Sequence, residues 1–119
     1  MNAIKCVAID DDPLFLEIMK FYCKKIKGVD MVATFENPIE GALGVVKLKP
    51  DLLFLDIEMP YLDGFETMSM LESQPKIVVI SSHQNYDLSE IDLNIAEFVT
   101  KPLEGVEQLE KIIQKVINS

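Results

Sequence analysis

Short apolar runs alternate with longer segments whose apolar residues recur at helical spacing. The runs fall at residues 4–9, 31–35, 52–55, 77–80 and 95–99. Each is rich in Val, Ile, Leu or Phe, as strands covered on both faces are. The first, third and fourth are nearly unbroken, which predicts the centre of a parallel sheet.

Helical patterns separate them. Asp12-Pro13 opens the first, because Asp is a favoured N-cap and Pro is tolerated at the first helical position. Leu14, Ile18, Phe21 and Tyr22 recur at helical spacing and predict its buried stripe. Lys24, Lys25 and Lys27 load the last turn, where cations complement the helix dipole, and Gly28 is the stop. Asn37-Pro38 repeats the cap-then-proline device before a helix at 39–48. Asp63-Gly64 turns into a third helix at about 65–72, and a fourth is expected at about 85–93. The last runs from about 103 to 117, with Val106, Leu109, Ile112, Ile113, Val116 and Ile117 as its apolar stripe. Five strands alternating with five helices predict an α/β domain with right-handed crossovers and a parallel sheet between two helical layers.

The 119 residues suit one domain over 1–119. With 49% hydrophobic residues the chain can build a buried core. Its net charge of −9 argues against nucleic-acid contact by this domain, since phosphate backbones need clustered basic residues. A basic protein partner or a metal ion fits better. Cys6 and Cys23 match no metal motif and read as reduced core residues. No apolar stretch reaches membrane-spanning length, and the N-terminus lacks the apolar core and cleavage site of a signal peptide, so a cytoplasmic protein without membrane contact is expected.

Ligands bind open α/β sheets beyond the carboxyl ends of the strands. The first strand ends in Asp10-Asp11-Asp12, and the third in Asp56 with Glu58 two residues on. The fourth ends in Ser81-Ser82, and the fifth in Thr100-Lys101-Pro102. Asp10, Asp11 and Asp56 should therefore converge. At about 5 Å and an effective dielectric of about 20, each like-charge pair costs roughly 3 kcal/mol. Something positive must offset that, and oxygen donors without His or Cys select Mg²⁺ or a similar divalent ion such as Mn²⁺. Asp12 is read as a helix cap only. Lys101 can hold a carboxylate or phosphoryl oxygen, and Pro102 after it permits a cis bond that would aim it inward. Ser81 offers a hydroxyl donor or, equally, a turn cap. Asp56 is the best nucleophile, because a carboxylate can form an aspartyl-phosphate. The metal, Lys101 and Ser81 would each neutralise an oxygen of the transferred group. His83 taken alone reads as a surface residue, and for Phe98 a plain core aromatic is the alternative to a functional role.

Four stretches in order, Ile9-Asp10-Asp11-Asp12-Pro13, Leu55-Asp56-Ile57-Glu58-Met59-Pro60-Tyr61-Leu62-Asp63-Gly64, Val79-Ile80-Ser81-Ser82 and Phe98-Val99-Thr100-Lys101-Pro102, resemble the receiver (CheY-like) domain of two-component response regulators. The resemblance covers essentially the whole chain. The Asp-Asp-Asp-Pro opening and the stretch from His83 to Tyr86 look most like the LytR/AlgR group. The resemblance implies a flavodoxin-like fold with strand order 2-1-3-4-5. It implies that Asp56 takes a phosphoryl group from a sensor histidine kinase. Asp11 would bind Mg²⁺ directly, Asp10 largely through water and Glu58 through its backbone carbonyl, while Lys101 pairs with the phosphoryl group. Ser81 would move toward that group and Phe98 would swing inward, reshaping the surface of helix 4, strand 5 and helix 5 where an effector domain or a second copy binds. Glu58 and His83 would flank the attacking water and tune phosphoryl lifetime. The chain departs from the family's usual residues at Ser81 (commonly Thr), Ser82 (commonly Ala) and Phe98 (commonly Tyr). Two other readings share some residues: a small Mg-dependent phosphohydrolase of the haloacid-dehalogenase type, and a degenerate receiver serving only as a binding module.

Overall fold

The computed structural model describes residues 3–58, 75–82 and 94–119. The segments expected as third and fourth helices, and His83, lie outside the described residues. Five parallel strands form one sheet: β1 (Ile4–Ile9), β2 (Val29–Phe35), β3 (Leu52–Asp56), β4 (Lys76–Ser81) and β5 (Ile95–Thr100), in the order β2-β1-β3-β4-β5. This is the predicted order. The three nearly unbroken apolar runs are the three central strands, and β3 is buried along its whole length.

Three helices are described: α1 (Pro13–Lys24), α2 (Pro38–Leu48) and α3 (Val106–Ile117). The first two begin as their sequences dictate. Asp12 accepts a hydrogen bond from Leu14 N at 3.0 Å, and Asn37 accepts from Ile39 N at 2.8 Å and Glu40 N at 3.1 Å, each just before a proline at the helix start. α3 starts later than predicted. Gly105 sits at φ 143, a conformation open to glycine alone, so the helix cannot extend back through it. Leu103 packs against the core from outside the helix.

Alternate strand residues face opposite layers. Cys6, Ala8, Leu52, Phe54, Val78 and Ile80 share a cluster with buried residues of α1 and α3, while Val7, Ile9, Leu53, Leu55, Ile77 and Val79 share another with Val45 of α2. α2 lies close to the sheet. A Cβ on Gly41 would stand 2.5 Å from Ile9 Cδ1, and one on Gly44 would stand 2.3 Å from Phe35 Cζ.

The predicted buried stripe of α1 is corrected. Leu14 and Phe21 are 68% and 57% exposed, and the buried residues are Phe15, Leu16, Met19 and Cys23. Both sets recur at helical spacing, so periodicity alone does not choose between them. The choice is made by contact with the sheet and α3, where Phe15, Leu16, Met19 and Cys23 join Leu109, Ile113 and Val116 in one cluster. Tyr22 reaches the same cluster from its edge. Both cysteines are free and buried, and burial pushes the Cys23 thiol up to about 11, so they act as core residues.

Candidate functional site

Sheet register builds the site. Ile9 pairs with Leu55, so Asp10 and Asp56, each the next residue, stand side by side on neighbouring strands. Asp10 follows Ala8 on the layer that faces α1, and Asp56 follows Phe54 on the same layer. Lys101 follows Val99, again on that layer. Period-2 geometry thus delivers two carboxylates and one ammonium to one corner. Asp11 joins them from the turn into α1. One oxygen from each of Asp10, Asp11 and Asp56 lies within 4.8 Å of the others.

Asp10 and Asp56 are buried, while Asp11 is exposed. Each buried carboxylate is anchored by the backbone two residues on. Asp12 N donates to Asp10 Oδ1 at 2.9 Å, and Glu58 N donates to Asp56 Oδ1 at 2.9 Å. Lys101 Nζ lies 2.8 Å from Asp10 Oδ2 and 3.8 Å from Asp56 Oδ2. The short contact is an ion pair without hydrogen-bond directionality, and Asp10 Oδ2 is the one fully buried side-chain oxygen lacking a hydrogen-bond partner among the described residues. The Lys101–Pro102 bond is cis, as the sequence permits.

Burial pushes the Asp56 carboxyl up to about 7. The Glu58 N–H opposes that rise, the Asp10 charge adds to it and the Lys101 ammonium opposes it. Burial pulls Lys101 down, but Asp10, then Asp56 and Asp12, outweigh it and hold the ammonium above the usual lysine range. Three carboxylates against one ammonium leave an excess of two negative charges when all are ionised. A hard divalent cation matches that excess and the all-oxygen donor set. The cluster can therefore hold such an ion.

Ser81 is buried at the end of β4 and follows Val79, which puts it on the α2-facing layer. Phe98 is half-buried on that same layer, and its strand position pairs with Val79. Ser81 and Phe98 thus share a face, opposite the one that carries the carboxylates. His83 is outside the described residues.

Two contacts were not foreseen. Glu58 Oε2 accepts from Ser82 N at 3.1 Å and Ser82 Oγ at 2.8 Å, tying the segment after β3 to that after β4. The Phe15 ring lies under the Lys101 ammonium, with Nζ 4.6 Å from its centroid. The available cue was an aromatic in the first turn of the helix that leaves the Asp10 strand end, a position equally suited to core packing.

The model of the response regulator receiver domain matches residues 6–114. The transcriptional regulatory protein BtsR of Escherichia coli (strain K12) is 32% identical over 115 residues, covering 95% of this chain and 48% of that protein. A response regulatory protein of Vibrio cholerae is 30% identical over 116 residues, covering 96% and 48%. The chain thus spans about half the length of these relatives. Among solved structures, the signal receiver domain of NarL from Mycobacterium tuberculosis superposes with a TM-score of 0.83 at 20% identity, covering 100% of both chains. The response regulator domain of Thermotoga maritima CheB gives 0.80 at 22% identity, covering 99% and 98%.

Proposed function

The chain belongs to the response regulator receiver family of two-component signalling, and on that premise we propose that it is a phosphorelay switch whose Asp56 accepts a phosphoryl group from a sensor histidine kinase. Membership in that family sets aside the haloacid-dehalogenase-type reading. The observation that carries the proposal is the convergence of Asp10, Asp11 and Asp56 around the Lys101 ammonium.

The Asp56 carboxylate attacks phosphorus as the P–N bond of the phosphohistidine breaks, and the bonding pair stays on the imidazole. Asp56 must be ionised to attack, which its raised pKa opposes until a cation arrives. Mg²⁺ or Mn²⁺, when bound, supplies charge neutralisation for the transferred phosphoryl oxygens. Asp10, Asp11 and Asp56 would hold it, with the Glu58 backbone carbonyl. Lys101 moves from Asp10 toward a phosphoryl oxygen, and the Ser81 hydroxyl donates to another. Acquiring roughly −1.5 to −2 charges and three acceptor oxygens gives those two side chains contacts that differ between the two states. Ser81 and Phe98, sharing one face, carry the change toward the surface of β5 and α3. The Glu97–Lys115 ion pair, at 2.6 Å, already joins β5 to α3 there. An effector domain or a second copy of the chain receives the signal on that surface. Glu58 and His83 tune the lifetime of the phosphoryl group. The setting is the cytoplasm, and the branch is the LytR/AlgR group.

The test is incubation with acetyl phosphate and Mg²⁺ followed by intact-mass measurement. A gain of one phosphoryl mass is expected, lost with chelator and in Asp56→Asn. No gain in the native chain would leave a receiver that acts only as a binding module. A gain that survives Asp56→Asn would place the acceptor elsewhere.

A further inference from the structure

From the ring beneath the ammonium we infer that Phe15 is a positioning residue for Lys101, holding its Nζ between Asp10 and Asp56 through a cation–π contact. The inference rests on the reading of Lys101 as a phosphoryl partner and adds a residue to that machinery.

The Lys101 side chain is only 19% exposed, so water contributes little to holding its charge. Among the described residues its ion-pair contacts are Asp10 Oδ2 at 2.8 Å and Asp56 Oδ2 at 3.8 Å, and the Phe15 ring centroid lies 4.6 Å from Nζ. The electron-rich face of an aromatic ring attracts an ammonium within about 6 Å of the centroid, and more strongly when both are desolvated. Phe15 is buried, so its ring is fixed by packing and cannot follow a wandering lysine. Phe15 stands in the first turn of α1, which starts at the Asp12 cap. The element that follows the Asp10 strand end therefore also fixes the third contact of the ammonium.

The kind of contact matters. An ion pair to one carboxylate oxygen weakens as soon as the ammonium leaves it. Attraction to a ring face depends on distance to the ring, with little dependence on direction across it. On phosphorylation of Asp56 the ammonium must shift from Asp10 toward the new oxygens. The ring lets it do so while staying partnered and out of solvent. Plain core packing gives the ring no such role, and it predicts that electron density in the ring is irrelevant.

That difference supplies the test. Mono-, di- and trifluorophenylalanine are incorporated at position 15 of the full chain, draining the ring face while nearly preserving its shape. Initial rates of Asp56 phosphorylation by acetyl phosphate in Mg²⁺ are measured by intact mass across donor concentration, with thermal unfolding in parallel. The maximal rate should fall stepwise along the series, by about two- to thirtyfold in all, with the half-saturating donor concentration and the melting temperature little changed. In a Lys101→Met background the series should be flat. Equal rates along the series, or the same decline without the lysine, would overturn the inference. A native chain that gains no phosphoryl mass would instead overturn the proposed function, so the two failures are distinct.

Discussion

Removing the charge of Asp56 should stabilise the metal-free protein, and more so as the pH rises. Burial raises this carboxyl from 3.8 to about 7. Below 3.8 both folded and unfolded chains carry the proton and no penalty exists. Between the two values the folded chain keeps a proton that the unfolded chain has lost, so unfolding becomes easier with rising pH. The loss is complete above about 7. A shift of about three units at roughly 1.4 kcal/mol each amounts to about 4 kcal/mol, an upper bound that relaxation of the site reduces. Asp56→Asn cannot ionise, and its amide oxygen can still accept from Glu58 N. Urea unfolding with a chelator, followed by circular dichroism at a series of pH values, gives the difference between native and variant. The subtraction removes contributions from groups that titrate in both proteins. The two should be about equally stable near pH 4, with the variant ahead by about 1–4 kcal/mol near pH 8. Mg²⁺ should shrink that gap by stabilising the native protein more. Parallel stability curves for the two proteins would refute the reasoning, because Asp56 would then titrate alike folded and unfolded.

Gly41→Ala should cost about 1–3 kcal/mol in urea unfolding, since the new Cβ would lie 2.5 Å from the Ile9 side chain in the core. Leu14→Ser should change stability by no more than about 0.5 kcal/mol, whereas Met19→Ala should cost about 2–5 kcal/mol; similar losses at Leu14 and Met19 would overturn the assignment of the buried face of α1. Asp12→Ala should cost about 1 kcal/mol by loss of the cap to Leu14 N. Mg²⁺ affinity, read by calorimetry, should fall only modestly, because the hydrogen bond to Asp10 comes from the backbone of residue 12 and only the Asp12 charge beside the site is lost.

Much of the site could be read from local patterns. Asp10, Asp56, Ser81 and Lys101 each lie at or just beyond the carboxyl end of a strand, and strand order places those ends together. Polar residues closing apolar runs are visible without coordinates. The Glu58–Ser82 bridge was not legible, because it joins side chains 24 residues apart whose approach depends on how two segments leave the sheet. Phe15 was not legible as a site residue either. Its burial in the core and its contact with Lys101 use the same side chain, and an apolar residue in sequence announces only the first.

What the sequence determined by itself was periodic. Alternation of two within strands and 3.6 within helices belongs to single elements, so elements, caps and strand-end chemistry could be inferred from neighbours along the chain. What the tertiary structure decided were choices between locally equivalent options. α1 carries two apolar stripes, and contact with the sheet and α3 selected Phe15, Leu16, Met19 and Cys23 over Leu14 and Phe21. Lys101 faces two carboxylates, and packing set it nearer Asp10 than Asp56. Such choices turn on distances between residues far apart in sequence, which close packing fixes and no local pattern encodes.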